Sequence, residues 1–164
     1  MITTTNAVTF KAATFGTFTV SSNGLPGAGT MTLSDGGAIL PSGVTFVDNG
    51  DETATLSGSP AATTGGIYTF TITADNGAAP DATQVFTLTI DEPPTITSAD
   101  NATFVLGRAS SFTVTSTGFP AGVADTYSDG GANLPAGVSF VDNGTGTATL
   151  AGTPGCLLYT SRCV

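Results

Sequence analysis

The side chains that could carry chemistry here are carboxylates, hydroxyls and two thiols close to the end of the chain. The densest acidic run is Asp48-Asn49-Gly50-Asp51-Glu52, which gathers three carboxylates and a side-chain amide. That mixture suits calcium, which takes about six to eight oxygen ligands from carboxylates and carbonyls. The spacing of an EF-hand loop with its closing Glu is absent. A second set, Asp91, Glu92 and Asp100, offers oxygens for calcium at a junction between domains. The neighbours Asp51-Glu52 and Asp91-Glu92 also invite an acid–base reading. Adjacent residues of an extended chain point to opposite faces, however, so neither pair converges on one substrate. The chain has no His, which removes imidazole catalysis and His metal ligation. No catalytic or cofactor-binding residue is therefore assigned and the chain is expected not to be an enzyme. Calcium is the single cofactor considered, with Asp48, Asp51, Glu52, Asp91, Glu92 and Asp100 as its candidate ligands and plain surface turns as the simpler role of all six.

The charge balance narrows the partners. Formal net charge is −9, and the basic residues are Lys11, Arg108 and Arg162. Phosphate binding needs clustered Lys and Arg, so nucleic acid is excluded as a partner. An anionic membrane surface is disfavoured for the same reason. No run is long and apolar enough for insertion into a bilayer, and Met1 to Lys11 lacks the regions of a signal peptide. Any export signal or surface anchor is expected outside this stretch. Sugar binding often uses exposed aromatic platforms, and the chain has no Trp.

The elements that position these residues come in duplicate. Leu40 to Gly50 reads LPSGVTFVDNG and Leu134 to Gly144 reads LPAGVSFVDNG, an offset of 94 (134 − 40). The same offset joins Phe18-Thr19-Val20 to Phe112-Thr113-Val114, Ser34 to Ala38 with Ser128 to Ala132, and Thr53 to Leu56 with Thr147 to Leu150. It also joins Gly58-Ser59-Pro60 to Gly152-Thr153-Pro154. A solenoid repeat is shorter, roughly 20–50 residues. This period is the size of a small β-domain, roughly 100 residues.

Within the first copy, apolar and hydroxyl residues alternate with period two. Tyr68, Phe70, Ile72 and Ala74 fall on one face and Thr69, Thr71 and Thr73 on the other. Phe86, Leu88 and Ile90 alternate with Thr87 and Thr89. This is the pattern of a half-buried antiparallel strand. Asn-Gly and Gly-Gly turns punctuate it. The spacing predicts strands near 3–10, 14–20, 30–33, 43–48, 53–57, 67–75 and 83–90. Asp91-Glu92-Pro93-Pro94 then breaks the alternation, and two prolines stiffen a short linker. The exposed Thr rows are read as solvated strand faces.

The runs LPSGVTFVDNGDETATLSGSP, GGIYTFTITADNG and TQVFTLTI carry a family resemblance. They are similar to the bacterial immunoglobulin-like (Ig-like) tandem repeats of large surface and secreted proteins. The resemblance rests on Leu40 to Val44, Gly58-Ser59-Pro60 and Tyr68 to Ala74, with Leu134 to Val138 and Gly152 to Pro154 in the second copy. It covers residues 2–154. It implies an all-β chain of two tandem Ig-like β-sandwich domains and a scaffold without a shared active site. The implied function is a spacer or adhesion module of a bacterial cell-surface or secreted protein, with an extracellular location. The implied partners are neighbouring repeats of the same chain, and a surface glycan or protein ligand. The alternative is an accessory carbohydrate- or ligand-binding module beside a secreted carbohydrate-active enzyme.

The expected organisation is a complete sandwich over 1–91, a linker over 92–95, a truncated sandwich over 96–154 lacking its last two strands, and a non-native tail over 155–164. The tail holds Cys156 and Cys163, both cysteines of the chain. Cys156 to Ser161 resembles one translated frame of a transposase mosaic-end adapter, and Arg162-Cys163-Val164 resembles the start of its reverse complement. A terminal disulfide or a reactive thiol site are the alternatives. By the 94-residue offset, counterparts of Tyr68, Phe70, Ile72, Phe86, Leu88 and Ile90 are replaced or lacking. Each large side chain is worth about 1.5–3 kcal/mol when buried, so the second copy is expected not to fold stably by itself. Amide exchange over 96–154 should accordingly run faster than over the first copy. Full cooperative protection of 96–154 would contradict this.

Overall fold

The computed structural model describes residues 1–24, 31–119 and 125–155. The described residues form strands, turns and bends, and none of them lies in a helix long and apolar enough to cross a membrane. The chain divides into two compact units, Met1–Pro93 and Pro94–Val164.

The first unit holds β1 (Ala7–Lys11), β2 (Gly16–Ser21), β3 (Thr32–Ser34), β4 (Val44–Asp48), β5 (Thr53–Gly58), β6 (Gly66–Asp75) and all but the last three residues of β7 (Ala82–Ile96). One sheet runs β3-β6-β7, with β1 added in parallel along the far side of β7; the other runs β2-β5-β4. The inner faces meet in one apolar core. Val20, Ala54, Leu56, Ile72, Phe86, Leu88 and Ile90 are wholly buried. Phe86 sits at its centre, with its ring centroid 5.3 Å from Phe18 on the opposite sheet and 5.5 Å from Phe70 beside it. Tilted aromatic pairs at this spacing add to the gain from area alone. The alternation read from sequence thus gave the right buried face on β6 and β7.

Two features of the first unit differ from that reading. The strand expected over 3–10 is two segments. Ile2 bridges antiparallel to Ser22 and the Thr3 N–H donates to the Ser21 carbonyl at 2.9 Å, so the start belongs with β2. The chain then crosses to the other sheet, where β1 pairs in parallel with β7. The crossing falls on Thr4-Thr5-Asn6, which has no large apolar residue to anchor it in either sheet. The second difference is the proline pair. Strand β7 continues through Pro93 and Pro94 to Ile96. The fixed φ of proline is compatible with extended backbone, and a residue before proline is driven toward extension. The prolines leave the strand conformation intact.

In the second unit, β8 (Ser110–Phe119), β9 (Val138–Asp142) and β10 (Thr147–Gly152) form a sheet in the order β8-β10-β9. Its register repeats the first unit: Phe112 opposes Leu150 and Leu150 opposes Phe140, as Phe18 opposes Leu56 and Leu56 opposes Phe46. The counterparts of the last two strands, expected to be lacking, fall outside the described residues. Residues 101–105 and 126–128, which correspond to β1 and β3, are not strands. In the first unit the partners of those two strands are β7 and β6.

One contact fixes the β4–β5 end of both units. Gly43 has a φ of 88° and Gly58 one of 146°. A Cβ on Gly58 would lie 1.9 Å from the Gly43 carbonyl oxygen, and one on Gly43 would lie 2.2 Å from the Ser59 carbonyl oxygen. Gly152 and Gly137 repeat this at 2.0 and 2.3 Å. Both obstacles are backbone, which cannot rotate away. Gly58→Ala is therefore expected to destabilise the first unit by roughly 3 kcal/mol or more, measured by urea denaturation. A loss below about 0.5 kcal/mol would show that the two strands can part at no cost.

Candidate functional site

The acidic run lies in the hairpin between β4 and β5. The Asp48 Oδ1 accepts the Gly50 N–H at 3.1 Å. The Asp51 Oδ1 accepts both the N–H and the hydroxyl of Thr53. Asn49 Nδ2 donates to Thr53 Oγ1 at 2.8 Å and Thr55 Oγ1 at 3.1 Å, locking the turn to the outer face of β5. Glu52 takes a positive φ of 68°, and its part in the fold is made by its carbonyl, which accepts the Ser22 N–H and hydroxyl, each at 3.0 Å. The second unit builds the same turn without the second and third carboxylates. Asp142 Oδ1 accepts the Gly144 N–H at 3.0 Å, and Asn143 Nδ2 donates to Thr147 and Thr149 hydroxyls at 2.9 and 3.0 Å. The duplicated part is the Asp-Asn-Gly turn with its Thr-x-Thr clamp. Asp51 and Glu52 are replaced by Thr145 and Gly146.

The other candidate carboxylates have separate roles. Glu92, expected in the linker, belongs to the first unit. Its Oε1 accepts the Thr63 N–H and its Oε2 the Gly65 N–H, each at 3.1 Å. Thr63 has a φ of 74°, a conformation that is costly for a β-branched residue. The carboxylate thus clips a strained loop between β5 and β6. Asp91 uses its carbonyl to accept the Ala12 N–H at 2.8 Å. Asp100, in the second unit, accepts the side-chain N–H of Asn101 at 2.8 Å. Among the described residues no three His, Cys, Asp or Glu side chains are grouped to hold a metal ion. Cys156, Cys163 and the rest of the tail after Gly155 lie outside the described residues.

Several polar groups were not singled out from sequence. Tyr68 donates its hydroxyl to the Thr64 carbonyl at 2.9 Å. This is the corner hydrogen bond by which sandwiches of this type fasten the entry to the sixth strand. The buried Ser22 has a counterpart in Ser116. Around Ser116 the second unit carries Asp125 and Tyr127 at the positions of the core residues Met31 and Leu33. The Ser116 hydroxyl donates to Asp125 Oδ2 at 2.6 Å and lies 2.6 Å from the Tyr127 hydroxyl, which donates to the Gly146 carbonyl at 2.8 Å. These groups line a cavity of about 510 Å³ with Pro94, Ile96, Thr126 and Ser128. A Ser hydroxyl beside a carboxylate can bind and orient a polar group. It lacks the imidazole relay that turns serine into a nucleophile. The signal for this cluster was available in the offset, as the exchange of two apolar residues for Asp and Tyr at core positions.

Comparison with known proteins adds the following. Residues 1–91 match the family model described as "Putative Ig domain". No curated protein matches the chain. Among solved structures, the chain is similar to an E-to-A variant of titin domains I67–I69, with a TM-score of 0.56 and 14% identity over 91% of this chain and 52% of that one. It is also similar to the I-band fragment I67–I69 of titin, with a TM-score of 0.50 and 23% identity over 90% of this chain and 52% of that one. The chain spans about half the length of those fragments, and at this identity the likeness concerns the fold.

The Glu92 clip can be tested directly. Glu92→Ala should lower the stability of the first unit by about 1–2 kcal/mol through loss of two charge-assisted hydrogen bonds. Adding Thr63→Gly should recover part of that loss, as read by thermal melting of the double variant. Millimolar calcium should leave the melting temperature unchanged. A rise that chelator reverses and Asp51→Asn removes would restore the hairpin as a cation site.

Proposed function

The chain belongs to this family of Ig-like domains, and from that premise we propose that it is a non-enzymatic structural or adhesive repeat. It serves as a spacer or adhesion module within a larger bacterial cell-surface or secreted protein. The observation that carries this reading is what the duplication keeps. Both copies retain the glycine pair at the β4–β5 end, the Asp-Asn-Gly turn with its Thr clamp, and the Ser-Asp-Gly-Gly loop. Neither Asp51 and Glu52 of the first copy nor Asp125 and Tyr127 of the second have a counterpart in the other. Duplication that preserves architecture and discards side-chain chemistry supports a role carried by the fold itself.

The pairing of β1 with β7 supports the same role. These are the first and last strands of the unit, and they run parallel over Ala7–Lys11 and Thr87–Asp91. Tension applied at the two ends loads this ladder in shear, so its hydrogen bonds resist together. The low count of basic residues and the Thr-rich outer faces suit an exposed, solvated surface. Calcium, a glycan and a protein ligand are not required by this reading.

Stretching the full chain between its ends should unfold the first unit in one cooperative step. Ala12→Pro removes the N–H that donates to the Asp91 carbonyl and should lower the force of that step. Gradual extension with no resisting step would contradict a mechanical role. A glycan array probed with the full chain separates the alternative. Saturable, sugar-specific capture would point to an accessory carbohydrate-binding module in place of a spacer.

A further inference from the structure

We infer that the turn between β6 and β7 is a site of self-modification, where Asn76 loses ammonia to its own backbone and becomes an aspartyl or isoaspartyl residue. The sequence Asp-Asn-Gly occurs at 48–50, 75–77 and 142–144. A glycine after asparagine leaves the attacking backbone nitrogen unshielded by any Cβ. The three triplets share much of their geometry. In each, the Asp Oδ1 accepts the Gly N–H, at 3.1 Å for Gly50, 2.6 Å for Gly77 and 3.0 Å for Gly144. The glycines have φ of 74°, 80° and 67°, with open space where a Cβ would be.

The Asn side chain separates them. Asn49 is turned along β5: its Nδ2 donates to the Thr53 and Thr55 hydroxyls, and its Oδ1 accepts from Thr55 at 3.3 Å. Asn143 is held in the same way by Thr147 and Thr149. Asn76 folds the other way. Its Oδ1 accepts the Ala78 N–H at 3.1 Å, which closes an Asx turn and lays the carboxamide against the following peptide. Its Nδ2 reaches the Gly24 carbonyl at a long 3.5 Å.

The groups around Asn76 match the needs of the reaction. The Gly77 nitrogen is the nucleophile and the Asn76 Cγ the electrophile. Asp75 Oδ1, already bonded to the Gly77 N–H, accepts the proton that this nitrogen sheds. The Ala78 N–H points at the oxygen that gains negative charge in the tetrahedral adduct. The bond from the Gly77 nitrogen to Cγ forms, the Cγ–Nδ2 bond breaks, and Nδ2 leaves as ammonia carrying the shed proton. Water then opens the cyclic imide at either carbonyl. Gly77 and Ala78 are exposed, so water reaches it. In sum, an amide and a water become a carboxylic acid and ammonia. Opening at the backbone carbonyl routes the main chain through the side chain and lengthens the turn joining the strands of Phe70 and Phe86. In the two hairpins the same attack first requires Asn to leave its Thr hydroxyls. The clamp kept in both copies therefore protects the turn chemically as well as locking it.

The full chain, held in mildly alkaline buffer made with water enriched in heavy oxygen and then digested, reports the reaction by mass spectrometry. Label should enter position 76, while Asn49 and Asn143 remain amides. In urea that unfolds the chain, the three positions should convert at similar rates. Thr53→Val with Thr55→Val should speed conversion at Asn49 by about tenfold, the worth of the lost hydrogen bonds, with folding checked by circular dichroism. Asp75→Ser should keep the turn, since Ser34 Oγ accepts the Gly36 N–H at 3.0 Å in the same manner. It should still slow conversion at Asn76 by about tenfold or more, through loss of the proton acceptor. Equal conversion of Asn49 and Asn76 in the folded chain would overturn the assignment. So would labelling of position 76 in urea alone, or an unchanged rate in either variant.

Discussion

Where β4 begins and β5 ends, two backbones approach so closely that no side chain fits on either. The Gly43 carbonyl oxygen stands 1.9 Å from where the Cβ of residue 58 would be, and the Gly137 carbonyl oxygen 2.0 Å from that of residue 152. Much of the sandwich follows from this contact. It sets the register that pairs Val44 with Gly58, and with it Phe46 with Leu56. Strand β5 is the middle strand of its sheet, so the same register places Phe18 opposite Leu56. A slip of one residue would turn all of these outward, because side chains alternate along a strand. The aromatic stack on Phe86 depends on that placement. The corner also joins the strands to the chain before them: the N–H of Ala13 donates to the Pro60 carbonyl at 2.7 Å, and that of Gly107 to the Pro154 carbonyl at 2.9 Å.

Polar groups finish what the apolar faces begin. With few charges to spend, the chain holds its turns by short-range hydrogen bonds from Asp, Asn, Ser and Thr side chains to nearby N–H groups. Asp35 and Asp129 each accept an N–H two residues on, as do Asp48, Asp75 and Asp142. These are Asx turns, and they explain why a strongly acidic chain shows little acidic chemistry. Much of the carboxylate content is occupied with its own backbone. Glu92 is the long-range case, reaching back to a loop nearly thirty positions earlier, at Thr63 and Gly65.

What could be read from the residues alone divides along the same line. The strands of the first unit were legible because Phe70, Ile72, Phe86 and Leu88 alternate with threonines, and period two is a local property of the chain. The duplication was legible because whole words recur. The crossing of the first strand between sheets was not, since Ile2 and Val8 look alike as apolar positions and only the pairing separates them. That 101–105 and 126–128 are not strands was not legible either, since the 94-residue offset places them on β1 and β3. Among the site residues, the Asp48 and Asn49 turn announced itself as a turn. Glu92 gave no sign of its clip, for its partners are backbone N–H groups distant in sequence. The Asp125–Tyr127 substitution was visible as a change of type at an apolar position, and its meaning required Ser116 beside it.

The parallel pairing of β1 with β7 has a consequence for how such chains grow. A unit whose opening strand pairs with its closing strand completes its hydrogen-bond ladder internally. The β1–β7 ladder itself lies wholly within one unit. A gene segment encoding one unit can then be duplicated, deleted or moved as a block without refitting its neighbours, so the length of the protein becomes free to vary between generations.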